Sequence, residues 1–288
     1  MPASLGRYWP SPGRALPEQS AGVAAEALAG GVAAEALGGG VANRGRVLRH
    51  GATVRRPRSP YGQATSAVLA HLDRVGFAGA PRLLAVEGGT EVLSWIPGQA
   101  ACNPLPDWSL GDETLISVAS LIRAFHLAMR SFDGAGLRWA RPVPPAYRGA
   151  LVSHNDLHPG NIVFDGAAAV GLIDFDLAGP GSVAWDLATA VRCWCPLVDD
   201  ADVPVAVAGR RLQRLALFLD AYGLAAADRV AVARALVPNH DWTYRIVTDA
   251  AASGHPGFRD HWNEVARRAQ RARDWTLRHT GELVAAVS

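Results

Sequence analysis

Apolar positions recur along this chain at two periods, and each period places a different kind of element. Ala64, Ala67, Val68, Leu72 and Val75 share one face of a 3.6-residue repeat, so "GQATSAVLAHLDRVG" (Gly62–Gly76) is expected to be a helix stopped by Gly76. Before it, two short β-like runs, Arg46–Arg49 and Thr53–Arg56, are joined by a His-Gly turn. After it, "RLLAVEGGTEVLSWI" reads as a hairpin turned at Gly88-Gly89. Pro97-Gly98 breaks the chain, and the helical period then dominates. Leu115, Val118, Ala119, Ile122, Phe125 and Met129 form one stripe of a helix over Asp112–Ser131. Further helices are expected at Val183–Trp194, Val205–Tyr222, Asp228–Leu236, Asp241–Ala252 and Phe258–Arg278. A single hairpin interrupts them, "NIVF" and "VGLID" turned at Asp165-Gly166.

This order predicts an α+β chain of two lobes. Residues 38–97 would form a small antiparallel sheet carrying one helix, and residues 98–288 a larger, mainly helical lobe, with a hinge near residue 97. Residues 1–37 are expected to be disordered or of low complexity. They open Pro-, Gly- and Ser-rich and continue into a nine-residue repeat, "GVAAEALAG", "GVAAEALGG" and a third start, "GVANRG". A nine-residue period is too short for a helical solenoid, and tandem duplication accounts for it.

Composition narrows the partners. The chain of 288 residues is 49% apolar with a net charge of +2, an ordinary globular balance. Its arginines are scattered, without the stripe interleaved with aromatics that nucleic acid would need. No charged n-region and apolar core opens the chain and no apolar run could span a bilayer, so a cytoplasmic protein without membrane contact is expected, as monomer or homodimer. All 28 basic residues are arginine, so any cation for phosphate must be Arg, His or a metal. Cys102, Cys193 and Cys195 are too few for a disulfide framework and lack a zinc spacing.

The candidate chemistry lies in "VSHNDLHPGNIVFDGAAAVGLIDFD" (Val152–Asp176), where His154, Asp156, His158 and Asn161 crowd one loop and Asp174 ends the next apolar run. An Asp and an Asn five apart, with a second Asp beyond a hairpin, suit the holding of Mg²⁺-bound phosphates beside a hydroxyl. Asn161 and Asp174 would be the metal ligands, since Mg²⁺ is usually shared between one or two carboxylates and substrate phosphates. Asp156 would accept or orient the proton of the attacking hydroxyl.

"HNDLHPGN" followed by "LIDFD" resembles the catalytic loop and metal-binding D-F-G segment of protein kinases, and more closely those of the aminoglycoside phosphotransferase and choline-kinase-like family. The resemblance extends over roughly residues 38–195 and implies a bilobal protein-kinase-like fold. It further implies transfer of the γ-phosphoryl group of ATP or GTP to a hydroxyl of an aminoglycoside-like, natural-product or metabolite acceptor. On the matching positions it makes Asp156 the catalytic base, His154 a brace of the loop, and Asn161 and Asp174 the Mg²⁺ ligands. "PGSVAWDLA" makes Asp186 a structural brace, and "EVLSWIPG" makes Ser94, Trp95 and Ile96 the adenine-facing segment. The phosphate-binding cation falls in "TVRRP", with Arg55 the first choice and Arg56 the second. Three positions depart from the pattern. Asp176 stands where D-F-G has Gly, the helix Gly62–Gly76 has no Glu to pair with that cation, and "GGGVANRG" does not fit G-x-G-x-x-G.

Two rival readings use the same letters. His154, Asp156 and His158 could ligate zinc or iron in a hydrolase, or a degenerate kinase fold could bind a nucleotide or peptide without turnover. His158 and His126 are expected to satisfy local structure rather than touch substrate. For the acceptor, Asp199, Asp200, Asp202 and Asp241 are candidate anions for an amino-sugar or polyamine, with Asp249 beside them. Trp242, Tyr244 and Trp262 would suit an apolar acceptor or the core.

Overall fold

The computed structural model describes residues 34–37, 45–101, 105–254 and 262–288. Its first part is a five-stranded antiparallel sheet built from β1 (Glu35–Ala36), β2 (Leu48–His50), β3 (Thr53–Pro57), β4 (Leu83–Glu87) and β5 (Thr90–Ser94), in the order β1-β2-β3-β5-β4. Gly88 (φ 53°) and Gly89 (φ 82°) both take left-handed backbone in the β4–β5 turn, which matches the twist of a tight hairpin. One helix, α1 (Gly62–Arg74), crosses the sheet's sequence between β3 and β4 and buries Ala64, Val68, Leu69 and Leu72. Gly76, at φ 74°, lies just past its end. Strand β1 lies inside the segment expected to be disordered, pairing Glu35 and Ala36 with Arg49 and Leu48. The rest of that segment, and most of the nine-residue repeat, lies outside the described residues.

The second part begins with β6 (Gln99–Ala100) and α2 (Asp112–Met129). Asp112 and Glu113 in the first turn of α2 face its positive N-terminal end. The predicted stripe from Leu115 to Met129 is fully buried, each large side chain contributing about 1.5–3 kcal/mol of transfer free energy. β7 (Leu151–Ser153), β8 (Ile162–Asp165), β9 (Ala168–Leu172) and β10 (Gly179–Gly181) follow, arranged as a three-stranded sheet β6-β8-β9 and a two-stranded ladder β10-β7. Helix α3 (Val183–Trp194) is capped by Ser182, whose hydroxyl accepts the Trp185 N–H. Then come α4 (Arg211–Tyr222), α5 (Ala226–Ala252), α6 (Trp262–Arg278) and α7 (Thr280–Val287). Among the described residues no helix is long and apolar enough to cross a membrane.

Three helical expectations change. The helix expected from Val205 starts at Arg211, because Pro204 and left-handed Gly209 (φ 78°) confine Val205–Val207 to a single 3₁₀ turn. The two helices expected between 228 and 252 are one, α5, which runs straight through Pro238. Proline has no N–H for the carbonyl of Arg234 four residues back, and the hydroxyl of Tyr147 donates to that oxygen at 3.3 Å instead. The expected start of the last long helix at Phe258 lies outside the described residues, and α7 was not foreseen.

Candidate active site

The site is assembled around one buried carboxylate. Asp186, in the first turn of α3 and fully buried, accepts at Oδ1 from the Asn155 N–H (2.7 Å). At Oδ2 it accepts from the His154 N–H (2.9 Å) and meets His126 Nε2 (2.9 Å). His126 Nδ1 lies 2.8 Å from the Tyr222 hydroxyl, whose pKa burial, with the Asp186 charge, pushes up to about 12. Asp186 thus fixes the backbone immediately before Asp156, and His126 is part of the brace.

The loop then folds on itself. Asn161 Nδ2 donates to Asp156 Oδ2 (2.9 Å) and to the Asp156 carbonyl (3.0 Å), leaving Asn161 Oδ1 as that side chain's acceptor. Trp194 Nε1 donates to Leu157 O, tying the loop to α3. His158 Nδ1 accepts the Gly160 N–H, and its Nε2 stands 3.6 Å from Asp156 Oδ2. Burial pushes the His158 pKa below the usual imidazole value, so the ring is neutral near pH 7.

His154 links the loop to the second acid. Its Nε2 donates to Ile173 O (3.1 Å) while Nδ1 accepts the Asp156 N–H (3.3 Å), so both ring nitrogens are occupied. Ile173 precedes Asp174, which sits in left-handed backbone at φ 63°, ψ 68°. Asn155 (φ 65°) and Asp174 are the two non-glycine residues with positive φ among those described. Such positions cost about 1–3 kcal/mol each and persist where the surroundings over-determine them.

From the sheet, Arg56 reaches across to this floor. Its Nη1 donates to Asp174 Oδ1 (3.1 Å), Nη2 to Asp176 Oδ1 (2.7 Å) and Nε to Glu91 Oε2 (3.0 Å). A planar guanidinium can serve three carboxylates in this way, where an ammonium could not offer the same fork. Burial disfavours the charge on Arg56, but Asp176, Asp174 and Glu91 outweigh it and hold its proton more tightly than usual. Asp176 is pushed up to about 6, first by burial and then by Asp174, against the pull of Arg56.

Strand parity separates the two arginines. Arg55 lies on the other face of β3, exposed, with Nη2 2.6 Å from Glu87 Oε2. Arg56 faces inward because its neighbour in register is Glu91, and Arg55's is Val92. Glu91, almost wholly buried, supplies the acid that α1 lacks. Its sequence signal is a lone carboxylate in an otherwise apolar strand, "TEVLS". In the segment expected to face adenine, the Trp95 N–H is engaged by Ala52 O (2.8 Å), and its indole lies under the Arg49 guanidinium at 4.3 Å. Ser94 belongs to β5, its hydroxyl accepting the Arg82 N–H, and Ile96 packs against Gly171.

Each acid suggested for the acceptor has an arginine partner. Asp200 is paired with Arg211 and held below its usual pKa by that hydrogen bond. Asp202 is buried between Arg268 and Arg271, Asp241 meets Arg273 Nε at 2.5 Å, and Asp199 stands 3.7 Å from Arg278. Asp249 is bound by Arg141 (2.7 Å). The arginines of α6 answer most of these charges, so they form no row of free anions. Trp242 is core, in edge contact with Trp185. The hydrolase alternative also fails: the nitrogens of His154 are used. Among the described residues no three His, Cys, Asp or Glu are grouped to hold a metal ion. The oxygen set that does fit a hard divalent cation is Asn161 Oδ1 with Asp174, whose carboxylate gives Oδ1 to Arg56.

Comparison with known proteins gives the family and the fold. The model of the phosphotransferase enzyme family matches residues 135–222, which contain the catalytic loop and Asp186. The trifolitoxin immunity protein of Rhizobium leguminosarum bv. trifolii is 31% identical over 255 residues, covering 84% of this chain and 95% of that protein. A solved amicoumacin kinase, in complex with AMP-PNP, Ca²⁺ and Ami, superimposes with a TM-score of 0.61 at 13% identity, over 84% of this chain and 88% of that one. An aminoglycoside 2'-phosphotransferase-IIIa in its GDP complex gives a TM-score of 0.57 at 12% identity, over 86% and 93%. The fold is therefore the bilobal kinase-like one. The chain belongs to the phosphotransferase enzyme family, and as a member it is an ATP-dependent phosphotransferase.

Proposed function

We propose that this enzyme moves the γ-phosphoryl group of ATP or GTP to a hydroxyl of a small antimicrobial acceptor. The observation that carries the proposal is the clustering of Asp156, Asn161, Asp174 and Arg56, drawn together from three segments. Asp156 accepts the proton of the attacking hydroxyl through its carboxylate, which the Asn161 amide orients at 2.9 Å. Such positioned base assistance accounts for about 10²–10⁴ in rate. Arg56, steered by Glu91, neutralises phosphate charge from above, and the buried walls keep competing water away. Mg²⁺, held by Asn161 and Asp174, would supply neutralisation of the phosphate oxygens when bound. Residues 38–97 would grip the nucleotide and residues 98–288 would carry catalysis and the acceptor. An antimicrobial acceptor is favoured because a toxin immunity protein and antibiotic kinases stand among the similar proteins.

Phosphoryl transfer to a panel of hydroxylated antibiotics, with release of the nucleoside diphosphate, tests this. Wild-type protein should turn over at least one acceptor with Mg²⁺-ATP or Mg²⁺-GTP. Asp156→Asn should lower kcat by about 10²–10⁴ while retaining nucleotide affinity. Nucleotide binding without transfer to any acceptor would favour a kinase-fold binding protein instead.

A further inference from the structure

Asp156 and Asp174 lie in the loops that follow β7 and β9, and something must set their separation. Two consecutive residues of the catalytic loop do so, one on each side of Asp174. His154 donates to Ile173 O, just before it. Asn155 Nδ2 donates to Leu177 O (3.0 Å) and Gly179 O (3.4 Å), just after it. The backbone N–H groups of both residues are held by the two oxygens of Asp186. Asn155 is buried, stands in left-handed backbone (φ 65°), and its Oδ1 has no hydrogen-bond partner. An unpaired buried amide oxygen is costly, so a side chain kept in this place is kept for its donor. Glycine would take the same backbone without strain and without an unpaired atom.

We propose that Asn155 is a positioning residue. Its amide clamps the strand leaving Asp174 to the loop carrying Asp156, and thereby sets the geometry in which a divalent cation and the nucleotide phosphates are bound. The inference rests on the phosphotransfer reading of the site. It assigns to the residue before the base a task separate from the base itself.

Asn155→Gly isolates the donor, since the backbone is relieved and only the amide is lost. Two readouts should move together. The Mg²⁺ concentration giving half the nucleotide-dependent rise in Tm should increase about tenfold or more, as expected when a group orienting a metal ligand is removed. Amide exchange should accelerate in the segment Leu177–Gly181, with exchange in α2 and the β4–β5 hairpin unchanged. A merely structural role would lower Tm in the absence of ligand and leave the Mg²⁺ requirement where it was, and that result would overturn the proposal. Asn155→Ser, which keeps a shorter donor, should fall between wild type and glycine, and it serves if the glycine variant does not fold. If wild type itself shows no Mg²⁺-dependent shift, the phosphotransfer reading is at fault. The exchange measurement then decides the clamp alone, and unchanged exchange in Leu177–Gly181 would refute it.

Discussion

Asp186 shows how much can hang on a single side chain. Replacing it by alanine would leave two backbone N–H groups and the His126 ring facing a cavity where a carboxylate now satisfies all three. Asp186→Ala is expected to cost about 3–5 kcal/mol, the loss seen when a buried charged group is taken from its partners, read from the denaturant midpoint. His240 gives a pH dependence of known sign. Burial lowers its pKa from 6.5 to about 3, helped by Arg192 on α3 and Arg273 on α6, and its Nε2 meets the Thr276 hydroxyl at 3.2 Å. Between those values the unfolded chain takes up a proton that the folded protein refuses, so stability falls as pH drops from 6.5 towards 3. His240→Gln should flatten that slope by an amount on the order of a few kcal/mol across the window, checked by chemical denaturation at each pH. At this scale the sequence already exposed Asp156, Asn161 and Asp174, because they sit at fixed spacings in short loops. It hid Glu91 and the choice of Arg56, because a carboxylate 35 positions away from its arginine is brought opposite only by strand register.

Elements were legible where they were long enough to show a period. Helices α2 and α3 lie within two residues of their expected bounds, since their buried stripes run over three turns or more. Strands β6, β7 and β10, of two or three residues, are too short for alternation to register. Proline rules placed a break in α5 that a distant tyrosine repairs, and that repair is testable. Tyr147→Phe should destabilise the protein by about 0.5–1 kcal/mol by removing this solvent-exposed hydrogen bond to the Arg234 carbonyl. In Pro238→Ala the restored N–H should satisfy that carbonyl and abolish most of the tyrosine effect, a coupling that a double-mutant cycle measures. Gly98 plays a comparable part at the joint between the sheet and β6. At φ 135° a Cβ would lie 2.3 Å from Phe164 O, so Gly98→Ala must move the backbone and should lower both Tm and nucleotide affinity.

For the whole molecule, the absence of lysine is turned to use. A single guanidinium joins the sheet to the helical part by binding Asp174 and Asp176, while Glu91 orients it from its own sheet. The two-part architecture was legible from the order of periods along the chain. The pairing of Asp199, Asp202 and Asp241 with arginines of α6 was not, since it depends on how that helix packs back. The proposed function requires a nucleotide held between these parts through a divalent cation on Asp174. The direct measurement is thermal unfolding with ATP and with GTP, each with and without Mg²⁺, for wild type and Asp174→Asn. A nucleotide at a hundred times its Kd adds about 2.7 kcal/mol, which should raise Tm by roughly 5–10 °C in the presence of Mg²⁺. A metal-held nucleotide requires that rise in wild type and its loss in Asp174→Asn. An equal rise in both proteins, or none in either, would contradict it.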